Sequence, residues 1–359
     1  MERALTAAGK LFICGEYAVL WGGVARIASV GPRQWAHIKV REDTRVMVRL
    51  DEGLLWGHRT PVGVAWESTP TEPFKFVARA VDIALRAQTR EGPGFGVVFE
   101  ASPKGLSGQK LGLGNSARAC VLAVEAVRAG LEASFDTLKV SLVAHADAQG
   151  GKGSGGDVAA IVAGGWVRYL RYPVTDLMAA SNRGELHGAL MQSRPVDLRR
   201  LAPWSFPALY VSSGRAASTM SQVRAVEASM TPSRKSAFVL QSDALGDRFE
   251  SALTGRDFDS VIDCCQALQR LLDGLDTVST EATQRILALA RAAGGVGKVS
   301  GAGGGDGCVV FMPTQEHREA FAASCAQRAL WTMPVELEGA LRGEVPNASP
   351  LGAWVADEK

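Results

Sequence analysis

Residues 110–124 read KLGLGNSARACVLAV, a glycine-rich turn that runs straight into an apolar helix start. Such a turn can hold an anion. Gly112 and Gly114 leave room for a phosphate oxygen, the N–H groups of Asn115, Ser116 and Ala117 point out of the new helix, and the helix dipole favours negative charge there. Ser116 adds a hydroxyl able to cap the helix or to ligate magnesium. A capped helix behind a tight turn would read the same way, so the stretch gains meaning from its company.

Two further glycine-rich stretches supply that company. Residues 150–165, GGKGSGGDVAAIVAGG, contain a GxGxxG match at Gly151, Gly153 and Gly156, with Asp176 twenty residues on. This is not a dinucleotide fingerprint, because that motif needs a strand immediately before it and VSLVAHADAQ is polar and helical. Asp157 instead stands where it would cap the short helix DVAAIVA, a carboxylate beside a loop that also carries Lys152 and Ser154. Residues 298–313, KVSGAGGGDGCVVFMP, read as strand, glycine loop, strand. Glycines so dense raise the entropy lost on folding, so something must need the bare backbone. Near the N-terminus, GKLFICGEYAVLWGGV at 9–24 places Lys10 just before a short strand, LFIC, where a lysine is either solvated or able to reach a phosphate.

Composition limits the function. The 359 residues are 47% hydrophobic and 21% charged, enough for a globular protein of about two domains. With 39 Lys plus Arg against 37 Asp plus Glu there is no overall pull toward nucleic acid or a membrane surface. No apolar run reaches the roughly 18 residues of a bilayer span. The six cysteines, Cys14, Cys120, Cys264, Cys265, Cys308 and Cys325, include no CxxC pair and read as buried thiols of a cytoplasmic protein, with Cys264 and Cys265 on opposite faces of their element. The histidines show no zinc spacing.

Along the chain, HIKV and TRVMVRL alternate as half-buried antiparallel strands. Phe76, Val77, Ala80, Val81, Ala84 and Leu85 have helical spacing, and GFGVVFEA is a strand. The helix after the central turn is apolar nearly all round to about Ala129 and should be buried, and a second helix follows over about Thr137–Gln149. WVRYLRY is a strand and RPVDLRRLAPW a connection, which places a lobe boundary there: 1–204 and 205–359. FPALYVSS is a strand, the chain to Ala293 is then mostly helical, and a helix at Gln315–Leu330, a strand MPVELE and a peripheral tail follow the third glycine stretch.

No GxxxxGK[ST] occurs, nor the HRD and DFG of protein kinases. An anion cradle, a cation and a positioning carboxylate are nonetheless the parts that phosphoryl transfer requires. GKLFICGEYAVLWGG, KLGLGNSARA and KVSGAGGGDG resemble the three ordered motifs of the GHMP kinase superfamily, over most of the chain. Within it, AHADAQGGKGSGGDVAA and SSGRAASTMSQV resemble phosphomevalonate kinases more than mevalonate kinases. The latter usually carry a Pro-Ser-Gly before the aspartate and a metal-binding glutamate on the preceding helix, where this chain has Ala146 and Asp147.

The resemblance implies an α+β, two-lobed GHMP kinase fold, with a ribosomal protein S5 domain 2-like N-terminal lobe, a left-handed βαβ crossover and a ferredoxin-like C-terminal lobe. It implies Lys10 and Asp157 as the catalytic pair. ATP would lie on Lys110, Gly112, Leu113, Gly114, Asn115, Ser116 and Ala117, with Ser116 the magnesium ligand. Lys10, Tyr17, Ser154, Asp157, Ser300, Gly301 and Ala302 would face the acceptor, phosphomevalonate, with mevalonate as the nearest alternative and a silent metabolite-binding paralogue as a different class. A monomer or homodimer acting on small molecules is expected. Three positions depart from the pattern: Ala8 for a common proline, Asn115 for the first serine of GLGSS, and Arg118 for a small residue. Arg118 adds a cation one turn into the helix, to touch phosphate or to face solvent. Lys110, Lys152 and Arg215 are candidate cations for the acceptor's phosphate.

Overall fold

The computed structural model describes residues 2–88, 92–102, 104, 108, 111–215 and 218–344. The first sheet is built from β1 (Glu2–Cys14), β2 (Val24–Val40), β3 (Arg45–Leu50), β4 (Gly53–Thr60), β5 (Gly63–Trp66), β6 (Phe95–Phe99), β7 (Trp166–Leu170) and β8 (Leu198–Arg200). A second, antiparallel sheet comprises β9 (Ala208–Ser212), β10 (Val296–Val299), β11 (Gly307–Phe311) and β12 (Thr332–Pro334), in the order β10-β11-β9-β12. The last described strand, β13 (Arg342–Glu344), returns to the first sheet and pairs with β1, giving the order β13-β1-β2-β6-β3-β4-β5.

β2 is long because it serves two partners on one edge. Val24–Ala28 pair with β7, and Ala36–Val40 pair with β6. HIKV and TRVMVRL are strands as expected but not each other's neighbours: β6 lies between them, antiparallel to β2 and parallel to β3. A parallel pair needs a crossover, here α1 (Lys75–Arg86), and such a link between remote residues leaves no local sequence signal.

α1, α2 (Asn115–Gly130), α3 (Thr137–Ala148) and α4 (Gly156–Ala163) cover one face of this sheet. Val77, Ala80, Val81, Ala84 and Leu85 of α1 are buried at the expected spacing. Phe76 is not part of that stripe; it lines the cleft described below. α5 (Thr175–Asn182) and α6 (Leu186–Gln192) follow β7. The second lobe adds α7 (Thr219–Ser229), α8 (Pro232–Gly255), α9 (Phe258–Asp273), α10 (Glu281–Ala292) and α11 (Gln315–Ala326). α9 lies between α8 and β10, so Cys264 and Cys265, expected on opposite faces, are both buried. All six cysteines are buried and free.

The two lobes share an apolar core. Leu11 and Ile13 of β1 and Trp166 of β7 pack with Phe206, Tyr210, Phe249 and Phe311. Burying one such side chain contributes roughly 1.5–3 kcal/mol, so this seam holds the lobes as one body. Around it, Arg26 of β2, fully buried, donates to Glu250 at 2.8 Å and to Asp247 at 2.5 Å, both on α8. The segment after MPVELE, expected to be a peripheral tail, is in fact partly structural: Arg33 donates to the Gly339 and Ala340 carbonyls, and residues 342–344 pair with β1. Its remainder, 345–359, lies outside the described residues.

Candidate functional site

Lys10 owes its place to an irregularity in β1. The pairing with β2 shifts register between Ala7 and Gly9, opposite Gly31–Arg33. Before the shift Leu5 and Ala7 belong to the helix-side core; after it Phe12 does, while Leu11 and Ile13 turn to the inter-lobe core. Side chains alternate along a strand, so Lys10 projects with Phe12, its Nζ 5.5 Å from that ring. LFIC is therefore the end of a 13-residue strand rather than a short one, and its lysine is interior: the Lys10 side chain is only 8% exposed. Nζ lies 3.5 Å from Asp157 and donates to Gly112 O at 3.3 Å.

Gly112 and Gly114 both take left-handed φ values, 71° and 82°. A Cβ on Gly112 would stand 2.9 Å from Asp306 Cβ, and one on Gly114 would stand 3.0 Å from the Lys10 stem. Conformation and crowding both demand glycine. Gly114 is the N-cap of α2 and no side chain caps that helix end, so Ser116 is not the cap that its position suggested. The first-turn N–H groups face the cleft without a capping side chain. Leu113 and Ala117 turn into the cores, and Leu113 O accepts from Lys10 N at 3.0 Å. Lys110 lies outside the described residues.

Asp157 does not cap α4 as expected but sits in its first turn, two residues past the N-cap, Gly155. Its side chain is 27% exposed, open to a ligand. Ser154 Oγ accepts from Gly156 N at 3.2 Å, which shapes the turn. From the third glycine stretch, Ser300 Oγ donates to Phe12 O at 2.9 Å, Ala302 O accepts from the Tyr17 hydroxyl at 2.5 Å, and a Cβ on Gly301 would lie 3.9 Å from Lys10 Nζ. Burial raises the Tyr17 phenol, with Glu16 adding to the effect, so it stays a donor. Lys10, Tyr17, Gly112, Gly114, Asn115, Ser116, Lys152, Ser154, Asp157, Ser300, Gly301 and Ala302 thus line one cleft of about 750 Å³. Arg215 is not on its wall; it lies over Gly305, while Arg224 of α7 does line the cleft.

Several partnerships escape sequence reasoning. Glu16 and Lys298 form an ion pair buried between the first and third glycine stretches, and Lys298 also donates to Val299 O at 2.6 Å. His145 Nε2 lies 3.4 Å from Ser116 Oγ, its ring 5.4 Å from that of Phe76. Burial pushes His145 down to about 4, outweighing the opposing pull of Asp157, so it is neutral near pH 7. Arg118 neither touches the cleft nor faces solvent; it is fully buried and donates to Asn115 Oδ1 at 2.6 Å and to Pro32 O at 2.7 Å. Asp147, where mevalonate kinases keep a metal-binding glutamate nearby, is engaged by Arg79.

Among the described residues no group of three His, Cys, Asp or Glu could hold a metal ion. The donors present suit magnesium only as an ion arriving with a nucleotide, one protein hydroxyl at Ser116 being the kind of sparse ligation that Mg²⁺ with phosphates and waters accepts. Among the described residues no helix is long and apolar enough to cross a membrane.

Residues 249–329 match the family described as GHMP kinases C terminal. A curated phosphomevalonate kinase from Streptomyces sp. (strain CL190) is 27% identical over 94% of this chain and 97% of its own length. The Streptococcus pneumoniae phosphomevalonate kinase solved with phosphomevalonate and AMPPNP superposes with a TM-score of 0.76 at 20% identity, over 94% of this chain and 99% of that one. The Methanococcus jannaschii mevalonate kinase gives a TM-score of 0.69 at 18% identity, over 92% and 96%. Residues 249–329 thus carry a GHMP kinase C-terminal region, and the two-lobed α+β fold around them is similar over more than nine-tenths of the chain to those of phosphomevalonate and mevalonate kinase structures.

Proposed function

We propose that the protein transfers the γ-phosphoryl group of ATP to the phosphate of (R)-5-phosphomevalonate, yielding ADP and mevalonate 5-diphosphate. The observation that carries the reading is the cleft itself: a Lys10–Asp157 pair stands against a helix N-terminus with no capping side chain, and Lys75, Lys152 and Arg224 line the same space without an ion pair among the described residues. Two polyanions that must approach each other need such cations. The full-length likeness to a curated phosphomevalonate kinase supports the choice of acceptor.

In this reading the first turn of α2 holds the nucleotide phosphates and Lys10 meets the charge that develops on the transferred group. An acceptor oxygen attacks the γ-phosphorus as the bond to the ADP oxygen breaks. A phosphate monoester has a second pKa of about 6, so at neutral pH its oxygen needs no base. Asp157 then orients Lys10 and the acceptor instead of removing a proton. Magnesium, when bound with the nucleotide, neutralises phosphate charge, with Ser116 as its protein contact.

Turnover with phosphomevalonate should exceed that with mevalonate by about 100-fold or more in kcat/KM, the worth of the charged hydrogen bonds its phosphate can make. Lys152→Ala and Arg224→Ala should each raise the acceptor KM by roughly 10-fold or more. An ADP-release assay over both acceptors reads this directly; equal kcat/KM values would reassign the acceptor and leave a GHMP kinase.

Ser116→Ala should raise the ATP KM and the magnesium requirement while changing stability by no more than about 0.5 kcal/mol, since its hydroxyl caps nothing. Magnesium titration at fixed ATP, beside a thermal melt, measures both. An unaltered magnesium dependence would remove Ser116 from the nucleotide site.

A further inference from the structure

The two unexpected residues of the central motif are partners. Arg118 Nη2 donates to Asn115 Oδ1 at 2.6 Å, and Nη1 to Pro32 O at 2.7 Å, at the register shift that aims Lys10. Among the described residues Arg118 has no carboxylate partner, and its buried Nε has no hydrogen-bond partner at all. A cation at the positive end of a helix, unpaired and dry, is a costly feature.

A guanidinium has only donors. Facing Arg118, the Asn115 carboxamide must present its oxygen, which settles an orientation that an amide otherwise leaves open. Its Nδ2 is then turned away from Arg118, and Asn115 lines the cleft beside the first-turn N–H groups of α2. A serine here could donate, accept or ligate a metal; this asparagine can only donate.

We propose that Arg118 is a positioning residue that locks the Asn115 carboxamide so that Nδ2 is a fixed donor to a phosphate oxygen of a bound nucleoside polyphosphate. The proposal rests on the nucleotide reading of the central loop. Arg118 touches no ligand and acts through Asn115. The bound polyphosphate in turn offsets the buried positive charge.

Asn115→Asp separates this from a purely structural pair. The substitution keeps the shape and gives Arg118 an anionic partner, so thermal stability should hold or rise. It also replaces the donor facing the cleft by a carboxylate oxygen, so ADP affinity, measured by titration calorimetry on the purified chain without acceptor, should fall by about 100-fold. Arg118→Met should weaken ADP binding about 10-fold by freeing the carboxamide, and the two effects should be non-additive in the double variant. If Arg118→Met does not fold, Asn115→Asp still decides. Wild-type ADP affinity in a stable Asn115→Asp variant would overturn the proposal, whereas a wild-type chain that binds no ADP would instead overturn the nucleotide reading beneath it.

Discussion

Lys10→Met is expected to lower kcat by about 10² to 10³ at saturating substrates, the usual effect of removing a preorganised charged donor from a dry site. The fold should survive. The methionine follows a similar path through the same space, and Asp157, left without its partner, is 27% exposed and can be hydrated. Steady-state kinetics with a thermal melt separates the two effects. A variant that keeps kcat within tenfold of wild type would return Lys10 to a structural part, as the residue that ties β1 to Gly112 and α4.

Lys298→Met is expected to act in the opposite sense, on stability first. Lys298 and Glu16 are both buried, with side chains 0% and 2% exposed, and removing the ammonium leaves a carboxylate in the dry seam between two glycine stretches. Breaking such a pair from one side typically costs about 3–5 kcal/mol. The double variant Glu16→Gln, Lys298→Met should recover much of that loss, because no unpaired charge is left behind. Urea unfolding measures all three proteins, and a loss under about 1 kcal/mol in the single variant would show the pair to be hydrated. The same pair stands next to the Tyr17–Ala302 hydrogen bond, so the double variant, though folded, should bind acceptor less well.

The parts of the site carried by backbone were legible in the chain. Glycines crowd only where φ is positive or another group presses close, so Gly112 and Gly114 announced their loop, and the motifs that contain Lys10, Asp157 and Ser300 lie within a few residues of such glycines. Side-chain partnerships over long separations were not legible. Glu16 meets Lys298 across 282 residues, and His145 reaches Ser116 from another helix. The burial of Arg118 was hidden for a related reason: a charged residue on a helix reads as solvated until the strand packed over it, here the Pro32 turn of β2, is known. Similarly, Phe76 has the spacing of a core residue but stands at the margin of α1, where the helix overhangs the cleft.

The return of β13 to β1 has a consequence for how the chain comes off the ribosome. The strand that carries Lys10 is made long before residues 342–344, which pair one of its edges, and the neighbouring β2 waits for Leu337 and Glu338. These are among the most distant contacts in the protein, and distant contacts close late because the intervening loop must lose its freedom first. Until those residues are made the first lobe carries an open sheet edge, a surface that invites pairing with other chains. Sealing that edge waits for residues 342–344, so the strand that carries Lys10 gains this partner only after the segments that build both lobes have emerged.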